Sequence, residues 1–209
     1  METILTISLI IGAYLLGSIP TAVWWGKRYY GIDVREFGSG NSGATNTFRV
    51  LGKKAGIPVL AIDILKGIFA VLLAHLSPYT YDTNPFVNIE LGLGIAALVG
   101  HIFPIYAGFR GGKGVATILG VVICLTPLTS LMVLFVFLTV LLTTRFVSLS
   151  SILAGISYPI CLNLVLKNAN ETLMIYSVLV AILLIITHKK NIVRLFKHQE
   201  SKVVLFKRT

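Results

Sequence analysis

GVATILGVVICLTPLTSLMVLFVFLTVLLTT, residues 114–144, is apolar almost throughout and broken once, at Thr126-Pro127. As a single helix it would be about 46 Å long at 1.5 Å per residue, far more than the ~30 Å core of a bilayer needs. As two helices, the first is short. The choice sets the sidedness of every later segment.

Charge decides between the two. Segment 26–54 carries Lys27, Arg28, Arg35, Arg49, Lys53 and Lys54, whereas 77–90 carries only the acids Asp82 and Glu90. Arg110 and Lys113 precede the stretch, Arg145 follows it, Lys167 stands alone in 167–171, and the tail from 188 is strongly basic. With a break at Pro127, sixteen of the 18 Lys and Arg fall on one side, Lys167 on the other and Lys66 within a helix. Merging the two would put Arg145 and the tail outside, against the positive-inside bias. The spans expected are 3–25, 55–76, 87–108, 114–126, 127–144, 147–166 and 171–187. The fold class is therefore an all-α integral membrane protein with seven transmembrane helices, N-terminus outside and C-terminus cytoplasmic. Residues 1–209 form a single transmembrane domain with a short basic tail from about residue 188.

Composition agrees. The chain has 209 residues, 56% hydrophobic and 12% charged, with a mean hydropathy of +0.87. A soluble domain carries about 25% charged residues. The net charge of +10 is mostly the topological signal and also suits anionic headgroups or anionic substrates. Cys124 and Cys161 both sit in apolar runs and read as small hydrophobes, with no disulfide framework or metal spacing. The acidic METILTIS start runs straight into a span and does not read as a cleavable signal peptide.

Four polar islands open to the basic side: 35–49, 100–117, 145–152 and 187–196. The first contains GSGNSGATN, residues 38–46, which includes G-x-G-x-x-G, with Asp63 about 20 residues on. A dinucleotide loop must follow a buried strand within a βαβ unit. Here a membrane helix and a basic connector precede it, and Asp63 lies in an apolar helix with Lys66 at i+3, which reads as an intramembrane ion pair. The glycines can still let backbone N–H groups cradle an anion, with Ser39, Asn41, Thr45 and Asn46 adding neutral hydrogen-bonding groups and Arg49 a charge. The bland alternative is a flexible connector.

The second island fails as a P-loop at both ends, since Ala107 stands where the first glycine belongs and Gly114 follows Lys113. Gly111-Gly112-Lys113-Gly114 nonetheless opens a helix, which joins free N–H groups to an ammonium. A positive-inside anchor would explain the lysine but not the glycines. His101 reads as a structural histidine. Ser148-Leu-Ser150-Ser151 on its own reads as a helix start. His188 and Asn191 share a face at i, i+3, and a solvated basic tail is an even competitor. An organic-phosphate transporter is the rival class, on the strength of Asp63–Lys66 and the break at Pro127. The polar islands lie on one side, however, and no inverted repeat is evident.

Together GSGNSGATN, GHIFPIYAGFRGGKGVAT and the Ser-Leu-Ser-Ser segment resemble the three signature motifs of the bacterial acyl-phosphate:glycerol-3-phosphate acyltransferases, the PlsY family. The similarity runs from Gly17-Ser18-Ile19-Pro20 through His188–Asn191. The resemblance implies a seven-helix enzyme of the bacterial plasma membrane, acting at its cytoplasmic face. It would transfer a fatty acyl group from acyl phosphate to the 1-hydroxyl of sn-glycerol 3-phosphate, giving lysophosphatidic acid and phosphate, without acyl-CoA or acyl carrier protein as direct donor.

It further implies catalytic roles for Ser39, Arg49 and Lys113. Ser39, Asn41, Thr45 and Asn46 would surround the donor phosphate, Ser148 would contribute to substrate binding from the third motif, and His188 and Asn191 would bind glycerol phosphate. The expected partners are these two substrates and membrane lipid; no cofactor, metal or nucleic acid is expected, and the chain is expected to be a monomer. The base stays open between a phosphate oxygen of the substrate and a side chain. The H-x-x-x-x-D pair of larger glycerolipid acyltransferases is absent, since no Asp lies five after His75, His101, His188 or His198.

Overall fold

The structure, a computed structural model, describes residues 1–165, 167 and 170–203. Its regular elements are all helical: α1 (Glu2–Gly17), α2 (Thr21–Tyr30), α3 (Ala44–Leu51), α4 (Lys53–Leu72), α5 (Asn84–Ile102), α6 (Val115–Leu125), α7 (Pro127–Thr144), α8 (Val147–Val165), α9 (Glu171–Thr187) and α10 (Lys189–Phe196). Short 3-10 turns lie at Val34–Glu36, Leu73–Leu76 and Ile105–Ala107.

The break at Thr126-Pro127 is present, and Pro127 opens α7. Its missing N–H falls where a helix has no partner for one, and its fixed φ suits the first turn. The expected helix 127–144 matches α7, and 171–187 matches α9. Residue 166, the expected end of the preceding span, lies outside the described residues, as do 204–209 with Lys207 and Arg208.

The expected first span, 3–25, is not one straight helix. α1 and α2 meet at a 41° bend across Ser18–Pro20. Proline removes a backbone donor and pushes the preceding residue, here Ile19, out of the helical region. Four helices are long and apolar enough to cross a bilayer alone: α4 with its 3-10 extension, α5 with its own, α7 and α8. The bent pairs α1–α2 and α9–α10 each pass as one span, and α6 is apolar but has only 11 residues.

The chain divides into two compact units, Met1–Leu125 and Thr126–Thr209. In the first, α4 packs on α6, α5, α3 and α2, and α1 packs on α5 and α4. Lipid gives no hydrophobic drive between helices, so close backbone approach over small residues does the work. A Cβ on Gly67 would strike the Thr117 carbonyl oxygen, and one on Gly120 would strike that of Ile64, so α4 and α6 cross glycine to backbone from both sides. A Cβ on Gly17 would likewise enter the backbone of Ala97. In the second unit α7 lies on α8, α8 on α9, and α10 on both α8 and α9.

Candidate functional site

The loop 38–46 is folded around the side chain of Asn46, which is 1% exposed. Its Oδ1 accepts from the Ser39 N–H at 2.9 Å, and its Nδ2 donates to the carbonyls of Val34 at 2.8 Å and Phe37 at 3.1 Å. Both amide hydrogens are thereby used, so Asn46 holds the loop from within and is not positioned as a direct phosphate ligand. Asn41 is also turned to the backbone: its Oδ1 accepts from the Gly43 N–H at 2.9 Å, closing the turn before α3. Gly38 and Gly40 have φ of 62° and 72°, the left-handed region where glycine is favoured.

The exposed polar groups here are Ser39, Thr45 and Arg49. Thr45 and Arg49 stand at i, i+4 and so present to one face of α3, while Asn46 and Thr47 are buried on another. The first turn of α3 begins at Gly43, and the N–H groups of Ala44 and Thr45 precede the first intrahelical bond, Asn46 N to Gly43 O. The loop can thus offer helix-end N–H groups, two hydroxyls and a guanidinium.

The second island folds back over the end of α5. The Gly111 and Gly112 N–H groups donate to the carbonyls of Ile102 and His101, both at 3.1 Å. A Cβ on Gly111 would strike the His101 carbonyl oxygen, and one on Gly112 would strike the His101 ring. Gly114 has φ of 83°. These glycines are thus required by close packing and by backbone handedness, which the charge-anchor reading did not explain. They hold Lys113, which is half-buried, at the start of α6.

Beneath this loop lies a buried polar cluster. Asp63 Oδ1 takes the Lys66 ammonium at 3.0 Å and the Thr21 hydroxyl at 3.0 Å. The Lys66 Nζ also donates to the Ile19 carbonyl at 3.1 Å, in the α1–α2 bend. The His101 Nδ1 is 3.9 Å from Asp63 Oδ1. The expected Asp63–Lys66 pair therefore exists, and it is spent on holding the bend in α1–α2 against α4. Nearer the surface, Asp33 grips Arg35 through two contacts, at 3.0 and 2.7 Å. Those hydrogen bonds hold the Asp33 carboxyl down at about 2.

In the second unit, three donors converge on Glu200. The Ser148 hydroxyl and Asn191 Nδ2 donate to its Oε1 at 2.8 and 2.6 Å, and Arg194 Nε donates to its Oε2 at 2.7 Å. Burial alone would raise this carboxyl, but the hydrogen bonds from Arg194, Asn191 and Ser148 outweigh it and leave it below its ordinary value. The tail then returns to the α7–α8 turn, where the Val203 N–H donates to the Arg145 carbonyl at 2.9 Å. Glu200 and Val203 thus pin the tail at two points, while Lys197, His198, Gln199, Ser201 and Lys202 stay exposed. His188 is 3% exposed at the junction of α9 and α10. Its Nδ1 meets the Leu184 carbonyl at 2.8 Å. A carbonyl only accepts, so Nδ1 carries a proton.

A family model described as glycerol-3-phosphate acyltransferase matches residues 7–198. The chain belongs to this family. It is 46% identical to the glycerol-3-phosphate acyltransferase of Bacillus cytotoxicus, with 95% of each chain covered. It is 40% identical to that of Chlorobaculum parvum, covering 97% of this chain and 98% of the relative. The crystal structure of PlsY, an integral membrane glycerol 3-phosphate acyltransferase, in its glycerol 3-phosphate form aligns with a TM-score of 0.83 at 37% identity, covering 95% of this chain and 96% of that one. A lysophosphatidic acid form of PlsY aligns with a TM-score of 0.82. This chain is thus a multi-pass membrane protein of the PlsY family.

For a member of this family, the sequence-predicted residues sort by environment. Ser39, Thr45 and Arg49 are exposed, Asn41 and Asn46 face the backbone, Lys113 is half-buried just before α6, and Ser148 and Asn191 share the Glu200 carboxylate. Sequence reasoning did not single out Glu200, Arg35 or Asp33. The Asp33-x-Arg35 spacing was a local signal, since it favours a short ion pair. Glu200 had none, because its partners lie as far as 52 residues away.

Proposed function

We propose that this chain transfers a fatty acyl group from acyl phosphate to the 1-hydroxyl of sn-glycerol 3-phosphate, releasing lysophosphatidic acid and inorganic phosphate. The observation that carries it is the construction of loop 38–46. A buried amide spends itself on the loop's own backbone, and Ser39, Thr45 and Arg49 are left outward in a chain whose family and crystallised relative are glycerol-3-phosphate acyltransferases.

In this reading the hydroxyl oxygen of glycerol phosphate attacks the acyl carbonyl carbon. The carbon–oxygen bond to phosphate breaks, and the hydroxyl proton passes to a phosphate oxygen of the substrate. A mixed anhydride is already activated, so no protein nucleophile is needed. Arg49 and Lys113 stabilise the departing phosphate and the developing oxyanion, with Ser39 as hydrogen-bond donor, and positioning supplies the rest. Thr45 adds a hydroxyl to the donor phosphate site, and Asn41 and Asn46 shape it. His188 and Asn191 take the glycerol phosphate. Ser148 orders this group through Glu200.

The same reading has seven spans, the N-terminus outside, the active face and tail in the cytoplasm of a bacterial cell, and action as a monomer among membrane lipids. Its support is the basic-residue asymmetry together with the four long helices, two bent pairs and α6. Purified protein given palmitoyl phosphate and glycerol 3-phosphate should form lysophosphatidic acid and one equivalent of phosphate, and palmitoyl-CoA should not replace the donor. Product from the CoA ester alone would overturn the donor assignment. Single cysteines at Thr80 and Lys202, labelled from either side of sealed vesicles, test the sidedness.

A further inference from the structure

Arg35 lies between the two glycine-rich loops and is 18% exposed at its side chain. Its Nε and one terminal nitrogen grip Asp33, and the other terminal nitrogen donates to the Ala107 carbonyl at 2.8 Å. Ala107 belongs to the 3-10 turn Ile105–Ala107, just before Gly108, which is left-handed with φ of 63°. Three residues after Gly108 the chain reaches Gly111 and the hairpin that presents Lys113. On the other side, Arg35 sits in the 3-10 turn Val34–Glu36, whose Val34 carbonyl is held by Asn46. One planar guanidinium therefore ties the turn that anchors loop 38–46 to the turn that launches loop 108–114. The Asp33 carboxylate fixes its plane, and its Oδ1 also accepts the Arg35 backbone N–H at 3.0 Å, which fixes the turn as well. A lysine could carry the charge but could not make this three-way fork.

We propose that Arg35, oriented by Asp33, is a positioning residue that holds the Ser39–Arg49 loop and the Lys113 loop in register. It rests on the acyltransferase reading for its kinetic consequence and not for its structural one. If the two loops grip phosphate groups of the substrates, their separation is the span across which those groups are held, and an error of about 1 Å there can cost up to a hundredfold in rate.

The competing role for an arginine in this place is direct contact with a substrate phosphate, and the two roles differ in the sign expected at Asp33. Were Arg35 a phosphate ligand, Asp33→Asn would remove a competing negative charge and strengthen anion binding. As a clamp, the pair acts as a unit, so Asp33→Asn damages the site in the same direction as Arg35→Gln.

The experiment measures KM for glycerol 3-phosphate and kcat in Arg35→Gln, Arg35→Lys, Asp33→Asn and the Arg35→Gln/Asp33→Asn double variant. The clamp predicts at least about a tenfold rise in KM for each single variant, little recovery in Arg35→Lys, and a double variant no worse than the worse single one. An unchanged or lowered KM in Asp33→Asn overturns it. A second arm needs no turnover. Spin labels at Glu36→Cys and Phe109→Cys, with Cys124 and Cys161 replaced by serine, report the loop-to-loop distance. Arg35→Gln should broaden or shift a single narrow distribution, and an unchanged distribution overturns the clamp. If the unaltered chain makes no lysophosphatidic acid from palmitoyl phosphate, the functional reading fails while the distance measurement still decides this one.

Discussion

Arg49 and Asn46 lie three residues apart on one short helix and do opposite jobs. Arg49 is exposed, and its charge is available to an anion. Arg49→Ala and Lys113→Ala should each lower kcat/KM by the equivalent of about 2 to 4 kcal/mol in transition-state stabilisation, measured in the palmitoyl phosphate assay. Near-normal kinetics in both would remove the loops from the chemistry. Asn46 is different, because its amide satisfies one backbone N–H and two carbonyls. Asn46→Ala should cost about 1 to 3 kcal/mol in stability, read as a lower unfolding midpoint in detergent, since buried polar groups lose their partners. The residue types in GSGNSGATN were legible as a polar, glycine-shaped loop. That both asparagines turn to the backbone was not, because their partners, Gly43 for Asn41 and Val34, Phe37 and Ser39 for Asn46, are set by the path of the chain.

At the scale of the helix, boundaries marked by proline read well and long-range partners did not. Thr126-Pro127 marks the start of α7, whereas Pro20 stands inside an apolar run, which hides the 41° bend between α1 and α2 within the expected span 3–25. The tail shows the second limit. Glu200 draws Ser148, Asn191 and Arg194 together, and a tail residue whose partners lie on α8 and α10 leaves no periodic trace. Glu200→Gln should loosen the tail, seen as faster proteolysis around 197–202. A carboxyl whose folded value lies below its unfolded one contributes stability that is fully present above the unfolded value and disappears as the pH falls through the folded one. Docking of the tail should therefore be constant around neutrality and fail only below the usual carboxylate range, roughly pH 4, and hydrogen exchange across residues 145–152 checks it. The α4–α6 crossing makes a plainer test. Gly120→Ala puts a methyl group against the Ile64 carbonyl, and overpacking of this kind costs about 1 to 3 kcal/mol, measurable as a drop in unfolding midpoint.

For the molecule as a whole, hydropathy and the one-sided basic residues were enough to read an all-helical membrane protein, because a bilayer admits few other solutions for the backbone. They could not show that the apolar helices separate into a unit ending at Leu125 and another beginning at Thr126, since α6 and α7 are both apolar and packing partners are invisible in composition. The hydrogen bond from Lys66 to the Ile19 carbonyl has a consequence for how such a chain is made. The Ile19 carbonyl, just before Pro20, takes two donors, the Thr21 N–H at 3.0 Å and the Lys66 ammonium, which is encoded 47 residues later. The contacts that pin the bend are thus complete only once α4 lies beside it. A nascent chain halted between Tyr30 and Lys66 would lack the Asp63 and Lys66 bonds to Thr21 and Ile19, while one halted after α4 would carry both halves of that staple.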